Sequence, residues 1–433
     1  GGTCLHRGCI PSKVYLRSAE LLDAVRRGQE FGIVAPEVKL DFALVHARKE
    51  KIVANLYKGV QGLLKKHGVA VYAGTGAIEP GTGYGAPVQV RVQTATGEER
   101  LTAPRLILAT GSRPKTLGLP IDGRNIMTSD EALEQTTLPR SVIIIGAGAI
   151  GMEWASLYAD FGVEVTVLEF LPRILPTEDE EIAAELEKLM RRRGVRIVTG
   201  AAVEPASVRV ADGQVTLAAR VGPQLQEFTA EAVLVAAGRE PVTEGIGLEH
   251  RPAVRLGRGG FVEVDGYGRT GDPAIYAIGD VAGGGLAHVA YHQGIIAMEH
   301  IKGLNPEPFS MKRVPRCIFT RPEVASVGMT EAEARAAGYS VKVGRFPFRG
   351  IGKALVHGSV DGFVKLVADA DGGILLGAHL IGPEVTNYVS EAGLALLANL
   401  TAEELATTIH PHPTLSEVLG EAALAVEGRA IHA

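Results

Sequence analysis

The stretch SVIIIGAGAIGMEWASLYADFGVEVTVLE, Ser141 to Glu169, constrains the fold more tightly than any other part of the sequence. A β-branched apolar run meets a glycine turn, an amphipathic segment of helical spacing follows, and a second β-branched run closes the unit. Strand, turn, helix and strand in about 30 residues make a parallel βαβ unit, the building block of α/β folds. Gly146, Gly148 and Gly151 stand in the GxGxxG spacing within that turn. The first glycine permits the tight turn, the second lets backbone approach a pyrophosphate, and the third lets the helix pack on the strand. The helix N-terminus then offers unpaired N–H groups and a partial positive charge to phosphates. Glu169 ends the second strand, where a carboxylate accepts bonds from a ribose 2′-hydroxyl and repels a 2′-phosphate. This predicts NAD over NADP.

A related pattern occurs twice more. LILATG, Leu106 to Gly111, runs into Ser112-Arg113-Pro114, and VLVAAGREP spans Val233 to Pro241. In each, an apolar strand reaches a glycine (Gly111, Gly238) and a proline follows three residues on, which predicts two related α/β domains in sequence. AIYAIGDVAGG, Ala274 to Gly284, adds a buried strand ending near Asp280. Ahead of these, the periodicity predicts helices over 12–30 and 41–67 and strands over 69–73 and 88–94. From about Val314 the pattern predicts strands near 324–328, 341–346, 363–368 and 374–381, then helices near 384–399 and 402–409. The GTGYG segment, Gly81 to Gly85, has no helix after it and reads as a plain loop. Domain segments are accordingly expected at 1–116, 117–245, 246–313 and 314–433.

With 46% hydrophobic and 21% charged residues, the chain has a globular composition. A net charge of −5, with no block of basic residues, argues against binding nucleic acid or an anionic membrane. No apolar run has the length of a membrane span, and GGTCLHRGC carries no signal-peptide pattern, so a cytoplasmic location is expected.

Only Cys4, Cys9 and Cys317 are present, too few for a disulfide scaffold. His6 alone does not complete a zinc site with Cys4 and Cys9. In a regular helix, residues five apart have Cα atoms roughly 8–9 Å apart, beyond the reach of a disulfide. A bridge therefore needs an irregular turn, for which Gly8 supplies the freedom. Spacing alone leaves open a reducible bridge or two buried thiols.

GGTCLHRGCIPSK, Gly1 to Lys13, resembles the active-site segment of the dihydrolipoamide dehydrogenase branch of the pyridine nucleotide–disulfide oxidoreductases. The resemblance spans the chain: ATGSRP at 109–114, GAGAIGME at 146–153, AIGDVAG at 277–283, RPEVASVG at 321–328 and HPHPTLSE at 410–417. CIPSK favours the lipoamide over the glutathione branch. The resemblance implies an α/β fold with two Rossmann-like domains, for FAD and NAD, and a C-terminal α+β dimerisation domain.

It further implies that Cys4 is the interchange thiol and that Cys9 lies against the flavin as the charge-transfer thiolate, the two forming a redox disulfide. Lys13 and Glu153 would pair beside the flavin ring, although from the residues alone Glu153 reads as an ordinary helix-surface acid. Asp280, after Gly279, matches the aspartate that holds the FAD ribityl chain, and Thr110, Gly111 and Gly238 fall in the matching cofactor loops. In HPHPTLSE, flanking prolines stiffen the backbone around His412. Glu417 can bond one imidazole nitrogen and leave the other as the base that a neutral dithiol needs. A cis peptide is expected at His412–Pro413. His410 reads as a satisfied loop histidine and Cys317 as a packing residue. The implied reaction is oxidation of dihydrolipoamide, carried on the lipoyl domain of a 2-oxo acid dehydrogenase complex. NAD would be the acceptor, in a homodimer whose histidine serves the other subunit's disulfide.

The family also begins with a strand, glycine turn and helix that hold the FAD pyrophosphate, whereas this sequence starts at the redox motif. His6 and Arg7 replace the usual Asn and Val, and Tyr291 and His292 replace acids after AHVA. These departures keep two other functions in view: reduction of another small disulfide, and a flavin-free assembly role.

Overall fold

The computed structural model describes residues 2–81 and 83–432. The chain divides into two compact units. One comprises Gly1–Ser12, Ala47–Lys115 and Gly238–Ser310; the other comprises Lys13–His46, Thr116–Ala237 and Met311–Ala433.

In the first unit, strands Leu106–Leu108 and Ile275–Ala277 pair in parallel. Ile78, Val88, Leu108, Ile275 and Val281 belong to its core. Strands Gly74–Ile78, Val88–Thr94 and Gly97–Ala103 form a separate antiparallel sheet. The strand expected over 69–73 is thus displaced to Gly74–Ile78. Val69 and Val71 are exposed, and the register is set by the hairpin partner, Ile78 opposite Val90 and Gly74 opposite Thr94. Gly74 suits this closeness, because a Cβ there would collide with the Gln93 carbonyl. The GTGYG segment includes Thr82, which lies outside the described residues.

The second unit holds a five-stranded parallel sheet, in the order Ile126–Thr128, Ala232–Val235, Ser141–Ile145, Glu164–Leu168, Arg196–Val198. Its strands are β-branched and nearly all buried, as a parallel sheet covered on both faces requires. Helix Ala149–Phe161 buries Met152, Trp154, Ala155, Leu157 and Tyr158 in a core shared with Val142, Ile144 and Val167. The same unit carries a five-stranded antiparallel sheet: Arg316–Ile318, Glu323–Gly328, Leu375–Gly382, Phe363–Asp369, Val341–Pro347. Helices Val385–Leu397 and Glu417–Val426 pack on it through Val385, Val389, Val418 and Leu419. The mixed α/β architecture agrees with the sequence reading.

The two look-alike segments meet within the first unit. Ser112–Pro114 and Arg239–Pro241 pair antiparallel, Pro114 opposite Arg239, directly after Gly111 and Gly238 at φ +75° and +98°. Among the described residues no helix is long and apolar enough to cross a membrane.

Candidate active site

The segment carrying the two cysteines is kinked. Helix Thr3–Arg7 ends at Gly8, whose φ −148° and ψ −111° are not helical, and a new helix, Cys9–Arg26, begins at once with Pro11 in its first turn. A Cβ at Gly8 would lie 3.1 Å from the Thr3 carbonyl oxygen, so glycine suits the break. Ser12 caps the turn by donating from its hydroxyl to the Gly8 carbonyl, 2.8 Å away. The irregular turn that spacing demanded is therefore present. Both cysteines are half-buried thiols in this structure. On helix Ala287–Ile301, burial and then the neighbouring Cys4 and Cys9 raise the Tyr291 pKa. Sequence reasoning had marked Tyr291 only as a departure. His6 packs edge-on against Tyr57, ring centroids 5.0 Å apart.

Glu153 is not the surface acid that its helix position implied. It is 8% exposed, and both of its oxygens accept from Lys13 Nζ, at 2.9 and 2.7 Å. The Phe319 backbone N–H donates to the same carboxylate at 2.9 Å, and Lys13 Nζ sits 4.5 Å from the Phe319 ring centroid. A buried carboxylate is costly unless paired, and this one is paired three times. Cys317 is most strongly affected by burial, with Glu323 adding to it, and its thiol is pushed up to about 11. Such a thiol is inert at neutral pH, as a packing residue should be.

The nucleotide turn has the expected geometry. Gly146 has φ +104°, and a Cβ on it would lie 2.6 Å from the Ala236 carbonyl. A Cβ on Gly151 would collide with the Gly146 carbonyl, whereas one on Gly148 would point into open space. Gly148 is the N-cap of helix Ala149–Phe161 and no side chain caps that end, which leaves a cradle where a pyrophosphate fits. Glu169 is 7% exposed and accepts from the Ala147 N–H at 2.5 Å and the Leu171 N–H at 2.8 Å. The carboxylate is thereby clamped to the turn itself, with lone pairs left for a hydroxyl donor.

In the first unit, Asp280 lies in a short 3₁₀ turn, Gly279–Ala282, after the buried strand. Its carboxylate accepts from the Ser112 hydroxyl at 2.5 Å, and Arg239 donates to that hydroxyl oxygen at 2.7 Å and to the Ser112 carbonyl at 2.8 Å. The Gly279 N–H donates to buried Gln293 at 2.7 Å. Thr110 donates to the Val242 carbonyl at 2.6 Å, and Val242 N–H returns to Gly111 at 3.0 Å. Ser112, Arg239 and Gln293 were missed by sequence reasoning. The signal for the first two was the shared pattern of GSRP and GREP.

In the second unit, His412 is exposed, and its Nδ1 lies 2.8 Å from Glu417 Oε1. The other Glu417 oxygen accepts from the Thr414 N–H at 2.8 Å. Burial pushes the Glu417 carboxyl up, but the Thr414 N–H and His412 outweigh it and hold the group below its ordinary range. The His412–Pro413 peptide is cis, as expected. His410 bonds Glu391 at 2.8 Å, which raises its pKa.

Residues 1–294 match the family model described as pyridine nucleotide-disulphide oxidoreductase, and residues 314–423 match its dimerisation domain. The chain belongs to this family. Its relatives in this oxidoreductase family include a dihydrolipoyl dehydrogenase of Bacillus subtilis (strain 168), 50% identical over all of this chain and 92% of the relative. A dihydrolipoyl dehydrogenase of Zymomonas mobilis is 43% identical over the same shares. Among solved structures, LpdA of Mycobacterium tuberculosis superposes with a TM-score of 0.90 at 31% identity, covering 98% of this chain and 91% of that one. The HOCl-induced flavoprotein disulfide reductase RclA of Escherichia coli, solved as a Cu(II) complex, gives a TM-score of 0.84 at 27% identity, covering 98% and 90%.

Proposed function

We propose that the chain oxidises dihydrolipoamide to lipoamide with NAD⁺ as acceptor, through FAD and a Cys4–Cys9 redox disulfide. The observation that carries this reading is the kinked Cys4–Gly8–Cys9 segment in a chain that also holds an imidazole–carboxylate pair, His412–Glu417. The 50% identity to a dihydrolipoyl dehydrogenase supports the choice of substrate.

The residues present fit both cofactors. Gly146, Gly148 and Gly151 would cradle the NAD pyrophosphate, and Glu169 would accept from the ribose. Lys13 with Glu153, and Asp280 with Ser112, would hold FAD on its ring and ribityl side, with Thr110, Gly111, Gly238 and Gly279 shaping the adjoining loops. Bound there, FAD supplies the two-electron path between the cysteine pair and the nicotinamide.

The protein's own groups handle the thiols. His412, its Nδ1 proton directed at Glu417, takes a proton from the substrate on Nε2. The resulting thiolate attacks Cys4, the Cys4–Cys9 bond breaks, and Cys9 leaves with the electron pair. The matched dimerisation domain supports a homodimer, in which His412 of one copy serves the cysteine pair of the other. The physiological donor would be a lipoyl domain of a 2-oxo acid dehydrogenase complex, and the compartment the cytoplasm.

Steady-state NAD⁺ reduction tests the reading. Dihydrolipoamide should outperform reduced glutathione and dithiothreitol by orders of magnitude in kcat/KM, and Cys4→Ser should abolish turnover. Equal efficiency with all three thiols would overturn the substrate assignment.

A further inference from the structure

Phe319 directly follows strand Arg316–Ile318, and while Ile318 enters the core of the second unit, the next side chain is left half-buried. Its backbone N–H donates to Glu153 Oε1 at 2.9 Å, and its ring centroid lies 4.5 Å from Lys13 Nζ. One residue thus holds both members of the Lys13–Glu153 pair, the carboxylate through its backbone and the ammonium through its ring. An aromatic face carries negative charge density and attracts a cation within about 6 Å of its centroid.

The segment that carries Phe319 is fastened to the helix that carries Glu153. Two residues on, the Arg321 N–H donates to Ser156 Oγ at 3.0 Å, one turn beyond Glu153 on helix Ala149–Phe161. A further turn along, Asp160 accepts from the Arg321 guanidinium at 2.5 Å. Arg193 closes the clamp, donating to the Arg321 carbonyl at 2.7 Å, to Ser156 Oγ at 3.0 Å and to Asp160 at 2.6 Å. Ser156 is 1% exposed and the Asp160 side chain 6%, so these bonds are shielded from water. Glu153, Ser156 and Asp160, spaced by three and four residues, lie along one helix face.

We propose that Phe319 is a positioning residue for Lys13, its ring holding the ammonium on Glu153 and the clamp at Ser156 and Asp160 holding the ring. The inference rests on the reading above in which Lys13 and Glu153 lie beside the flavin ring. A lysine ammonium rides on a flexible four-carbon stem and wanders unless it is restrained. Beside a flavin, a positive charge favours the reduced form, which is the more negative one, only as far as that charge stays in place. A second carboxylate would hold the ammonium more tightly but cancel its field. An aromatic face attracts it and adds no net charge, so the field survives.

The test compares the full chain with Phe319→Leu, Phe319→Tyr and Ser156→Ala. Brief acetylation with acetic anhydride at fixed pH is read by mass spectrometry, Lys13 against Lys365, which is buried in the same unit. Phe319→Leu keeps the backbone bond to Glu153 but removes the ring, and the ratio of Lys13 to Lys365 labelling should rise about threefold or more. Phe319→Tyr should match the parent. Ser156→Ala leaves Lys13, Glu153 and Phe319 unaltered and loosens only the clamp, and it should raise the ratio in the same direction. A general loosening of the fold would raise both lysines together. A ratio in Phe319→Leu equal to the parent's would overturn the proposal.

The FAD-loaded forms are then equilibrated with a reference redox dye and read by absorbance. At the same dye poise, the ratio of reduced to oxidised flavin should fall about threefold in Phe319→Leu and hold in Phe319→Tyr. A raised labelling ratio with an unmoved flavin ratio would overturn the proposal as well. Dihydrolipoamide turnover, measured in parallel, keeps the substrate assignment separate: both ratios shifted in a protein that does not oxidise this dithiol would sink that assignment and leave the role of Phe319 standing. A parent that takes up no FAD would sink the flavin reading, and the labelling ratio alone would then decide whether Phe319 holds Lys13.

Discussion

Glu417 accepts from His412 Nδ1 with one oxygen and from the Thr414 backbone with the other, each at 2.8 Å, so the carboxylate is fixed before it orients the imidazole. Replacing it with glutamine keeps the shape but removes the charge that stabilises the imidazolium. Glu417→Gln is expected to lower kcat for dihydrolipoamide oxidation roughly 10²-fold with little change in KM, measured by steady-state kinetics. An unchanged kcat would remove Glu417 from the mechanism.

The glycines of the nucleotide turn separate into two kinds. Gly151→Ala drives a methyl into the Gly146 carbonyl and should cost about 1–3 kcal/mol in urea denaturation. Gly148→Ala meets nothing in the protein and should leave stability unchanged, while NADH affinity falls on the order of tenfold because the methyl occupies the pyrophosphate cradle. If Gly148→Ala binds NADH normally in calorimetry, the dinucleotide lies elsewhere.

Lys365 is an ion-pair hub in the second unit. Its side chain is 3% exposed, and Nζ lies 3.0 Å from Asp179, 2.7 Å from Glu181 and 2.9 Å from Glu331. Arg345 also engages Glu181, whose carboxyl is held down at about 2, chiefly by that arginine. Lys365→Met leaves Asp179 charged and buried, and is expected to destabilise by about 3–5 kcal/mol in thermal or denaturant melts. A variant as stable as the parent would mean that water reaches the cluster.

His379 is completely buried on strand Leu375–Gly382. Its Nε2 bonds the Met329 carbonyl at 2.9 Å, and its Nδ1 has no partner among the described residues. Burial lowers its pKa, so the unfolded chain binds the proton more readily than the folded one. This contribution to stability is present above the ordinary histidine value near 6.5 and is lost as pH falls below it, at most about 1.4 kcal/mol per pH unit. Denaturation midpoints measured from pH 5 to pH 8 should show a steeper acid-side loss in the parent than in His379→Leu. Parallel curves would refute this.

Local chemistry was legible in the sequence wherever it is written within one segment. The βαβ turn, the Gly8 break between the cysteines and the His412–Glu417 pair each lie within about one supersecondary unit. What could not be read depends on distant partners. Glu153 is a buried, triply bonded group only because Lys13 and Phe319 converge on it. Ser112 and Arg239 find each other through a strand pairing between segments more than a hundred residues apart. The strand expected over 69–73 moved because a hairpin partner, not local propensity, chose the register.

The Ser112–Pro114 and Arg239–Pro241 ribbon has a consequence for how the chain tolerates change. The Lys115 N–H donates to the Gly238 carbonyl at 3.0 Å, so the stretch between them leaves and returns through one closed hydrogen-bonded gate. A segment whose two ends are already tied together adds little closure entropy when its length changes. Surface loops within that stretch can therefore lengthen at little entropic cost, while its buried face is fixed by the core that Trp154 and Tyr158 share with Tyr15, Ile318 and Ile381.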